Sequence, residues 1–242
     1  MDRIVKLDGC LNFRDLGGYP TADGRRVRTG QVFRSDALHR VTPGDVARIR
    51  DELGIGSIVD LRSSGELRTE GRGALGAETI AFHHVPLFDG KVARAEGWGA
   101  VVTLADRYVL LAEFAKEPIA RVIALVAETD VPVVYHCAAG KDRTGVISAV
   151  LLALLGVRDD VVVADYVATQ ENLDAIVARL MASEGYQKML AALPADTLHA
   201  EAETMIAFLD GVRQRYGSMD GYARDAGVTE ATIDRLRARL VG

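Results

Sequence analysis

The sequence of 242 residues predicts an α/β fold in which helices flank a mainly parallel sheet. Three short segments, 55–61, 78–86 and 131–135, carry apolar and branched side chains in a pattern typical of strands. Longer segments with apolar residues at helical spacing separate them, and strands that alternate with helices usually pair in parallel. We therefore expect one domain over residues 1–242, although length alone would also allow two small ones.

The first elements are marked by turn and cap signals. Residues 1–40 are expected to form an N-terminal hairpin segment, because Ala22-Asp23-Gly24 has the composition of a tight turn. Thr42 followed by Pro43 predicts the start of a helix, with threonine as the cap and proline at the first helical position.

Two later stretches are predicted to be helical. The first covers about 101–127 and is expected to divide at Pro118, because proline removes a backbone hydrogen bond inside a helix. The second covers 182–207 and reads as two amphipathic pieces around Leu193-Pro194. Their spacing suits ordinary core packing, although spacing alone does not settle their role.

One loop contains the main candidate catalytic residues of this sequence. Cys137 stands six positions before Arg143, between the strand that ends at Tyr135 and a helical pattern that begins near Val146. Consecutive backbone N–H groups in such a loop can surround a phosphate, and the helix N-terminus adds positive potential. The same potential stabilises a thiolate, and arginine can bind two phosphate oxygens at once. We call residues 137–143 the phosphate loop.

Two other interpretations of the loop are weaker. A nucleotide-binding P-loop would need Ser or Thr after Gly140-Lys141 and a glycine five residues before that pair, but Asp142 and Tyr135 occupy these positions. A buried cysteine that merely packs as a small apolar residue would not explain the Lys-Asp-Arg triplet directly after Gly140.

The loop resembles that of a known family. The segment His136–Gly145 is similar to the phosphate loop of the atypical, PtpB-like bacterial protein-tyrosine phosphatases. Further segments match the family in order along the chain: 12–18, 33–35, 60–64 with Glu66, 163–166, and 216–222. The resemblance implies a cysteine-phosphatase-like fold, a helical lid, and activity on phosphotyrosine, phosphoserine or phosphothreonine, and phosphoinositides.

Each loop residue then has an expected role. Cys137 is the expected nucleophile that forms a phosphocysteine, and Arg143 is expected to stabilise charge in the transition state. Thr144 either donates its hydroxyl to the thiolate or caps the helix, and His136 either orders the loop or simply packs. The backbone cradle is expected to comprise the N–H groups of Ala138, Ala139, Gly140, Lys141, Asp142 and Arg143.

The leaving oxygen needs a proton, and three carboxyl groups compete to supply it. Asp89 follows a predicted strand, and similar phosphatases carry an aspartate at that point. Asp142 lies within the loop, where it could instead form an ion pair with Lys141. Asp60 is the third candidate, and its position beside Arg62 also suits a structural ion pair.

Lys141 bears on substrate choice. A cation beside the bound phosphate favours substrates with further negative charge, such as phosphoinositides. The alternative is a lysine that is simply solvated on the loop. Inorganic phosphate is expected as a product ligand.

Composition narrows the class of protein further. The net charge of −5, from 29 basic and 34 acidic residues, argues against non-specific nucleic-acid binding. No apolar run is long enough for a transmembrane segment, and charged residues interrupt the first ten positions where a signal peptide would be apolar. Cys10 and Cys137 do not make a disulfide framework, so the cytoplasm is the expected compartment, with export by another route left open.

The sequence predicts no cofactor and no metal, because no cluster of histidine and carboxylate residues has metal-ligand spacing. Two rival functions remain. A sulfurtransferase also places a cysteine in a loop at a helix N-terminus, but it does not require an arginine six positions later. A phosphate-binding pseudophosphatase would be expected to lack Cys137 or Arg143, and both are present.

Overall fold

The computed structural model describes residues 3–88, 103–183, 186–187 and 198–242. Within these ranges the chain forms a five-stranded sheet with helices on both faces. The strands are β1 Arg14–Asp15, β2 Val32–Ser35, β3 Ser57–Asp60, β4 Ala81–His84 and β5 Val133–His136.

The sheet has the order β1-β2-β5-β3-β4. β1 pairs antiparallel with β2, and the other neighbours pair in parallel. The predicted mainly parallel sheet is therefore confirmed. β5 lies in the centre, with Ser35 of β2 and Asp60 of β3 in register with His136 at its end. Because these strands run in one direction, the residues that follow them gather at one edge of the sheet.

The helices surround this sheet on both faces. They are α1 Pro43–Ala47, α2 Ser64–Glu70, α3 Leu104–Phe114, α4 Lys116–Glu128, α5 Asp142–Leu154, α6 Asp159–Val167, α7 Gln170–Met181, α8 Ala202–Tyr216, α9 Met219–Asp225 and α10 Glu230–Leu240. Short helical turns cover 38–40 and 73–77, and a π-helical turn extends α1 over 48–52. None of the helices in the described ranges is both long and apolar enough to cross a membrane.

Local sequence signals explain several element boundaries. Thr42 caps α1 and Pro43 is its first residue, as predicted. The long helical stretch divides at Ala115, three residues before Pro118. The break falls there because a continuous helix would place the proline ring against the carbonyl of residue 114. The turn at 22–24 is also present, with the N–H of Thr21 bonded to the carbonyl of Arg25.

Two apolar cores lie on the two faces of the sheet. Alternate residues of β5 serve both cores, since Val133 and Tyr135 face one core and Val134 faces the other. The larger core contains α5, whose side chains are buried from Thr144 to Leu152. A helix buried on all sides gives its N-terminus a fixed place at the carboxyl edge of the sheet. The predicted lid over 182–207 is described only at 182–183, 186–187 and 198–207, and the segment around Leu193-Pro194 lies outside the described residues.

Candidate active site

The phosphate loop connects the central strand to the buried helix. Cys137 is the first residue after β5, and Lys141 occupies the position that caps α5. The cysteine side chain is buried, with the residue 1% exposed. The first N–H groups of a helix have no partner within it, so the positive end of α5 faces the loop.

Glycine is required at position 140 of the loop. Its φ of 68° lies in the left-handed region, which disfavours other residues. A Cβ atom built there would lie 2.6 Å from the carbonyl oxygen of Ser35, at the end of β2. The loop can therefore pack closely on the end of the neighbouring strand only because residue 140 has no side chain.

Several backbone N–H groups of the loop have no hydrogen-bond partner among the described residues. Those of Ala138, Ala139 and Gly140 bond to no other group in the described ranges. The N–H groups of Asp142 and Arg143 lie in the first turn of α5, where helix geometry leaves them unpaired. Together these groups form the kind of cradle that binds a phosphate.

Arg143 is held by a carboxylate that sequence reasoning did not assign to the site. Its Nη1 lies 2.6 Å from Oε2 of Glu66 and its Nη2 lies 2.9 Å from Oε1. The pair uses two of the five N–H donors of the guanidinium, which leaves donors for phosphate oxygens. Burial lowers the pKa of Arg143, but Glu66 and then Cys137 raise it above its ordinary value.

Glu66 also receives two further hydrogen bonds. The N–H of Ser63 donates to Oε2 at 2.8 Å, and the hydroxyl of Tyr186 donates to Oε1 at 3.0 Å. Burial raises the pKa of Glu66, but Arg143 lowers it more, to about 2. The pattern Ser63-x-x-Glu66 signals a helix cap, which the structure contains, and this signal gives no hint of the second role toward Arg143.

Asp142 lies at the exposed side of the loop, with its side chain 41% exposed. Its Oδ1 accepts a hydrogen bond from the hydroxyl of Tyr108 at 2.6 Å, and the ammonium of Lys141 lies 3.2 Å from the same atom. The Tyr108 hydroxyl in turn lies 2.9 Å from that of Tyr166. Both tyrosines were absent from the predicted site, because they come from α3 and α6.

Lys141 is buried, with its side chain 3% exposed, so the alternative of a solvated loop lysine is wrong. Its ammonium donates to the carbonyl oxygen of His199 at 3.1 Å as well as pairing with Asp142. The positive charge therefore lies within the loop region, between the start of α5 and the segment that precedes α8.

Asp60 belongs to a buried ion pair. Its carboxylate accepts from Nε and Nη2 of Arg62, at 3.0 Å and 2.7 Å, and from the Arg62 backbone N–H at 2.9 Å. Burial raises the pKa of Asp60, but His136 and Arg62 lower it to about 2. A buried carboxylate with these partners is poorly placed to donate a proton to a substrate, so the structural role fits Asp60 and Arg62.

His136 contacts the backbone of the cysteine. Its Nδ1 donates to the carbonyl oxygen of Cys137 at 3.2 Å, and its Nε2 lies 3.7 Å from Asp60. Burial lowers the pKa of His136, although the nearby carboxylate of Asp60 opposes the effect. The histidine is thus packed and also bonded to the first residue of the loop.

Thr144 does not cap α5. Lys141 occupies the cap position, and no side chain there bonds to the helix N-terminus. The Thr144 hydroxyl is buried and has no hydrogen-bond partner among the residues that the structure describes. A buried hydroxyl without a partner is costly, which favours a role that appears when the thiol ionises or a ligand binds.

A small pocket lies beside the loop. Ala138, Ile176, Leu180 and Tyr186 form an apolar cluster on its wall. Arg40 and Arg179 also line it. The wall of the pocket therefore combines apolar side chains with charged ones, since Asp36 lines it as well.

Asp89 lies outside the described residues, so the structure places only Asp60 and Asp142 among the three predicted acids. Across the described ranges, no group of three or more His, Cys, Asp or Glu side chains is arranged to hold a metal ion.

Comparisons with known proteins show which proteins the chain is similar to. The triple specificity protein phosphatase PtpB of Mycobacterium tuberculosis is 31% identical over 99% of this chain and 99% of its own length. A putative tyrosine-protein phosphatase of Cupriavidus necator is 30% identical over 98% of this chain and 88% of its own. A crystal structure of TpbA from P. aeruginosa matches 84% of this chain and 90% of its own, with 14% identity and a TM-score of 0.36, a likeness that says nothing about function.

The sequence profile of the tyrosine phosphatase family covers residues 5–242, which includes the whole loop and the elements that hold it. With two relatives at 30% identity or more over nearly the full chain, the match is not confined to one motif. The chain therefore belongs to the tyrosine phosphatase family, and it is a phosphatase.

Proposed function

We propose that this phosphatase acts without a metal and forms a phosphocysteine at Cys137. One observation carries the proposal: the cysteine begins a loop in which the N–H groups of Ala138, Ala139 and Gly140 have no partner among the described residues, and Glu66 holds Arg143 at the end of that loop. Such a site offers a nucleophile, a cradle for the phosphate and a cation for the transition state.

The reaction takes place in two displacements on phosphorus. The Cys137 sulfur attacks in line, the phosphorus–oxygen bond of the ester breaks, and the leaving oxygen takes a proton. Water then attacks the phosphocysteine and gives a proton to the carboxylate left by the first step, the phosphorus–sulfur bond breaks, and inorganic phosphate leaves as the thiolate is restored. Arg143 binds two equatorial oxygens in both steps, and the hydroxyl of Thr144, which has no partner among the described residues, supports the returning thiolate.

We assign proton donation to Asp89, with Asp142 as the second candidate. The contacts of Asp142 with Tyr108 and Lys141 suit a carboxylate that anchors the loop. Its exposed position still allows it to reach a leaving oxygen, so the two residues need a direct experimental comparison.

The proposed substrates are phosphotyrosine peptides, then phosphoserine or phosphothreonine peptides and phosphoinositides. The apolar wall formed by Ile176, Leu180 and Tyr186 suits the ring of phosphotyrosine. The name of the mycobacterial relative, a triple specificity phosphatase, supports a broad substrate range. The buried charge of Lys141 supports acceptance of a second phosphate group.

Two broader expectations remain proposals. Residues 1–242 form a single tyrosine-phosphatase-like domain, since the family profile covers nearly all of them. Two free, buried thiols at Cys10 and Cys137 favour a reducing compartment, and we place the protein in the cytoplasm.

A substrate panel tests the proposed function. Wild type, Cys137→Ser and the matched control Cys10→Ser, which changes the other buried free thiol, are assayed with phosphotyrosine, phosphoserine and phosphoinositide substrates. We expect Cys137→Ser to abolish turnover of every substrate, Cys10→Ser to retain it, and EDTA to leave it unchanged. Turnover by Cys137→Ser near the wild-type rate, or a strict need for added metal, would refute the proposal. Turnover of thiosulfate in place of phosphate esters would support the sulfurtransferase alternative.

A further inference from the structure

Three segments that stood out in the sequence meet behind the phosphate loop. Arg14, Arg34 and Asp165 come from β1, β2 and α6, and all three are buried. Nε of Arg14 lies 3.1 Å from Oδ1 of Asp165, and Nη1 of Arg34 bonds to Oδ2 of the same carboxylate. One carboxylate therefore joins two buried guanidinium groups.

This cluster contacts the carbonyl groups of the loop. Nη2 of Arg34 donates to the carbonyl oxygen of Gly140 at 2.6 Å. Nδ2 of Asn12 donates to the carbonyls of Gly140 and Ala139, each at 3.2 Å. The N–H of Ala37 donates to the carbonyl of Ala138 at 3.0 Å. Three consecutive loop carbonyls are thus bonded to groups on the side of β2.

The direction of these carbonyls determines the direction of the N–H groups. In a planar trans peptide, the C=O of one residue and the N–H of the next point in opposite directions. Holding the carbonyls of Ala138 and Ala139 toward β2 therefore turns the N–H groups of Ala139 and Gly140 to the other side. A single reversed peptide would place a carbonyl oxygen, which repels phosphate, inside the cradle.

Arg14 sets the orientation of the Asn12 amide. The Nη1 of Arg14 bonds to Oδ1 of Asn12, and a guanidinium can only donate. The amide oxygen must therefore face Arg14, which leaves the amide nitrogen facing the loop. Arg14 is itself fixed by Asp165 and by the hydroxyl of Thr169, at 3.2 Å.

The cluster also carries an excess of positive charge. Arg14 and Arg34 share the single carboxylate of Asp165, and Arg3, which is partly exposed, lies 3.6 Å from it. Burial lowers the pKa of Arg34, but Asp165, Tyr135 and Cys137 raise it above its ordinary value. This charge lies on the side of the loop that faces β2, where Arg34 bonds to the carbonyl of Gly140.

We propose that Asn12 and Arg34 are positioning residues of the phosphatase reaction, which hold the loop carbonyls away from the phosphate and so direct the N–H groups toward it. The inference rests on the proposed function of the loop. Asp165 and Arg14 act through these two residues by fixing their orientation.

Two variants of Asn12 separate this role from a structural one. Asn12→Ala removes both contacts with the loop and the acceptor for Arg14. Asn12→Asp keeps an acceptor for Arg14 but cannot donate to the carbonyls of Ala139 and Gly140. If Asn12 acts only by accepting from Arg14, aspartate restores phosphate binding, whereas aspartate does not restore a residue that acts by donating to the loop carbonyls.

Two measurements report on the conformation of the loop and do not require turnover. The first is the affinity for inorganic phosphate, measured by calorimetry in a Cys137→Ser background. The second is the pH dependence of alkylation of Cys137 by iodoacetamide, measured in a Cys10→Ser background. Tyr222→Phe serves as the matched control. The buried Tyr222 hydroxyl also donates to a backbone carbonyl, but this carbonyl, that of Ala112, belongs to α3 and not to the loop.

We expect Asn12→Ala to weaken phosphate binding about 10-fold, and Asn12→Asp about 100-fold since it also adds negative charge. The alkylation midpoint should rise by about one pH unit in both variants, while Tyr222→Phe changes neither readout. The Asn12→Asp carboxylate can still pair with Arg14, so this variant carries the test if Asn12→Ala fails to fold, and its melting temperature checks that it is folded.

Two contrary results are distinguishable. If the Cys137→Ser protein binds phosphate and Asn12→Asp binds it within twofold of that value, with an unchanged alkylation profile, the positioning role is overturned. If the Cys137→Ser protein with intact Asn12 binds no phosphate, the proposed function itself fails, and the positioning role fails with it.

Discussion

Glu66 and Arg143 form a two-point ion pair across 77 positions of the sequence, with N–O distances of 2.6 Å and 2.9 Å. The carboxylate comes from the first turn of α2 and the guanidinium from the first turn of α5. Because both side chains are largely buried, the pair fixes the plane of the guanidinium before any substrate binds. An arginine that is already oriented loses less entropy when it binds the transition state.

The first prediction concerns this pair. Glu66→Gln should lower kcat/KM by about 10-fold to 100-fold, because Arg143 loses its charged partner and one fixed contact. Steady-state kinetics with a phosphotyrosine peptide measures the effect. Asp45→Asn is the control, since Asp45 occupies the same position in the capping box of α1. Equal kcat/KM for Glu66→Gln and wild type would contradict the role of Glu66.

The second prediction concerns stability in acid. The pKa of Glu66 is about 2 in the folded protein, below its ordinary value of 4.5. The ionised carboxylate of Glu66 therefore stabilises the folded protein fully above pH 4.5. This stabilisation, roughly 3 kcal/mol in total, is lost as the pH falls toward 2. The free energy of unfolding in urea should fall less steeply across this pH range for Glu66→Gln than for wild type. Asp60, with a pKa of about 2, contributes to both proteins alike. If the free energies of unfolding of the two proteins fall in parallel with pH, Glu66 is not the source of this loss of stability in acid.

The third prediction separates the two candidate acids. Asp89→Asn should lose most activity toward esters with poor leaving groups and much less toward an activated aryl phosphate. Asp142→Asn should lose rate uniformly, because its carboxylate anchors the loop through Tyr108 and Lys141. Rates with a series of aryl phosphates that differ in the pKa of the leaving group measure how strongly each variant depends on that leaving group. A steep dependence for Asp142→Asn with a flat one for Asp89→Asn would reverse the assignment.

The sheet and the loop were predictable because their signals are local. Branched residues mark β5, apolar residues at helical spacing mark α5, and Gly140 lies where the backbone needs a positive φ. The cap at Thr42 and the break before Pro118 follow from steric rules that act over a few residues.

The groups that hold the loop were not predictable, because their partners lie far away in the sequence. Asn12 bonds to a carbonyl 128 positions later, and Glu66 contacts Arg143 from another helix. The burial of Lys141 depends on the carbonyl of His199. Polar residues such as Arg34 look like surface residues in a sequence, and only the packing of three separate elements shows that they are buried.

The central claim is that the phosphoryl group passes through the sulfur of Cys137. The most direct measurement is an acid quench during turnover of a phosphorus-labelled aryl phosphate, followed by mass spectrometry of the labelled peptides. We predict a label on the peptide that contains Cys137 and none on the peptide that contains Cys10, with the label lost in Cys137→Ser. A labelled residue other than Cys137, or full turnover by Cys137→Ser without any labelled cysteine, would contradict the mechanism.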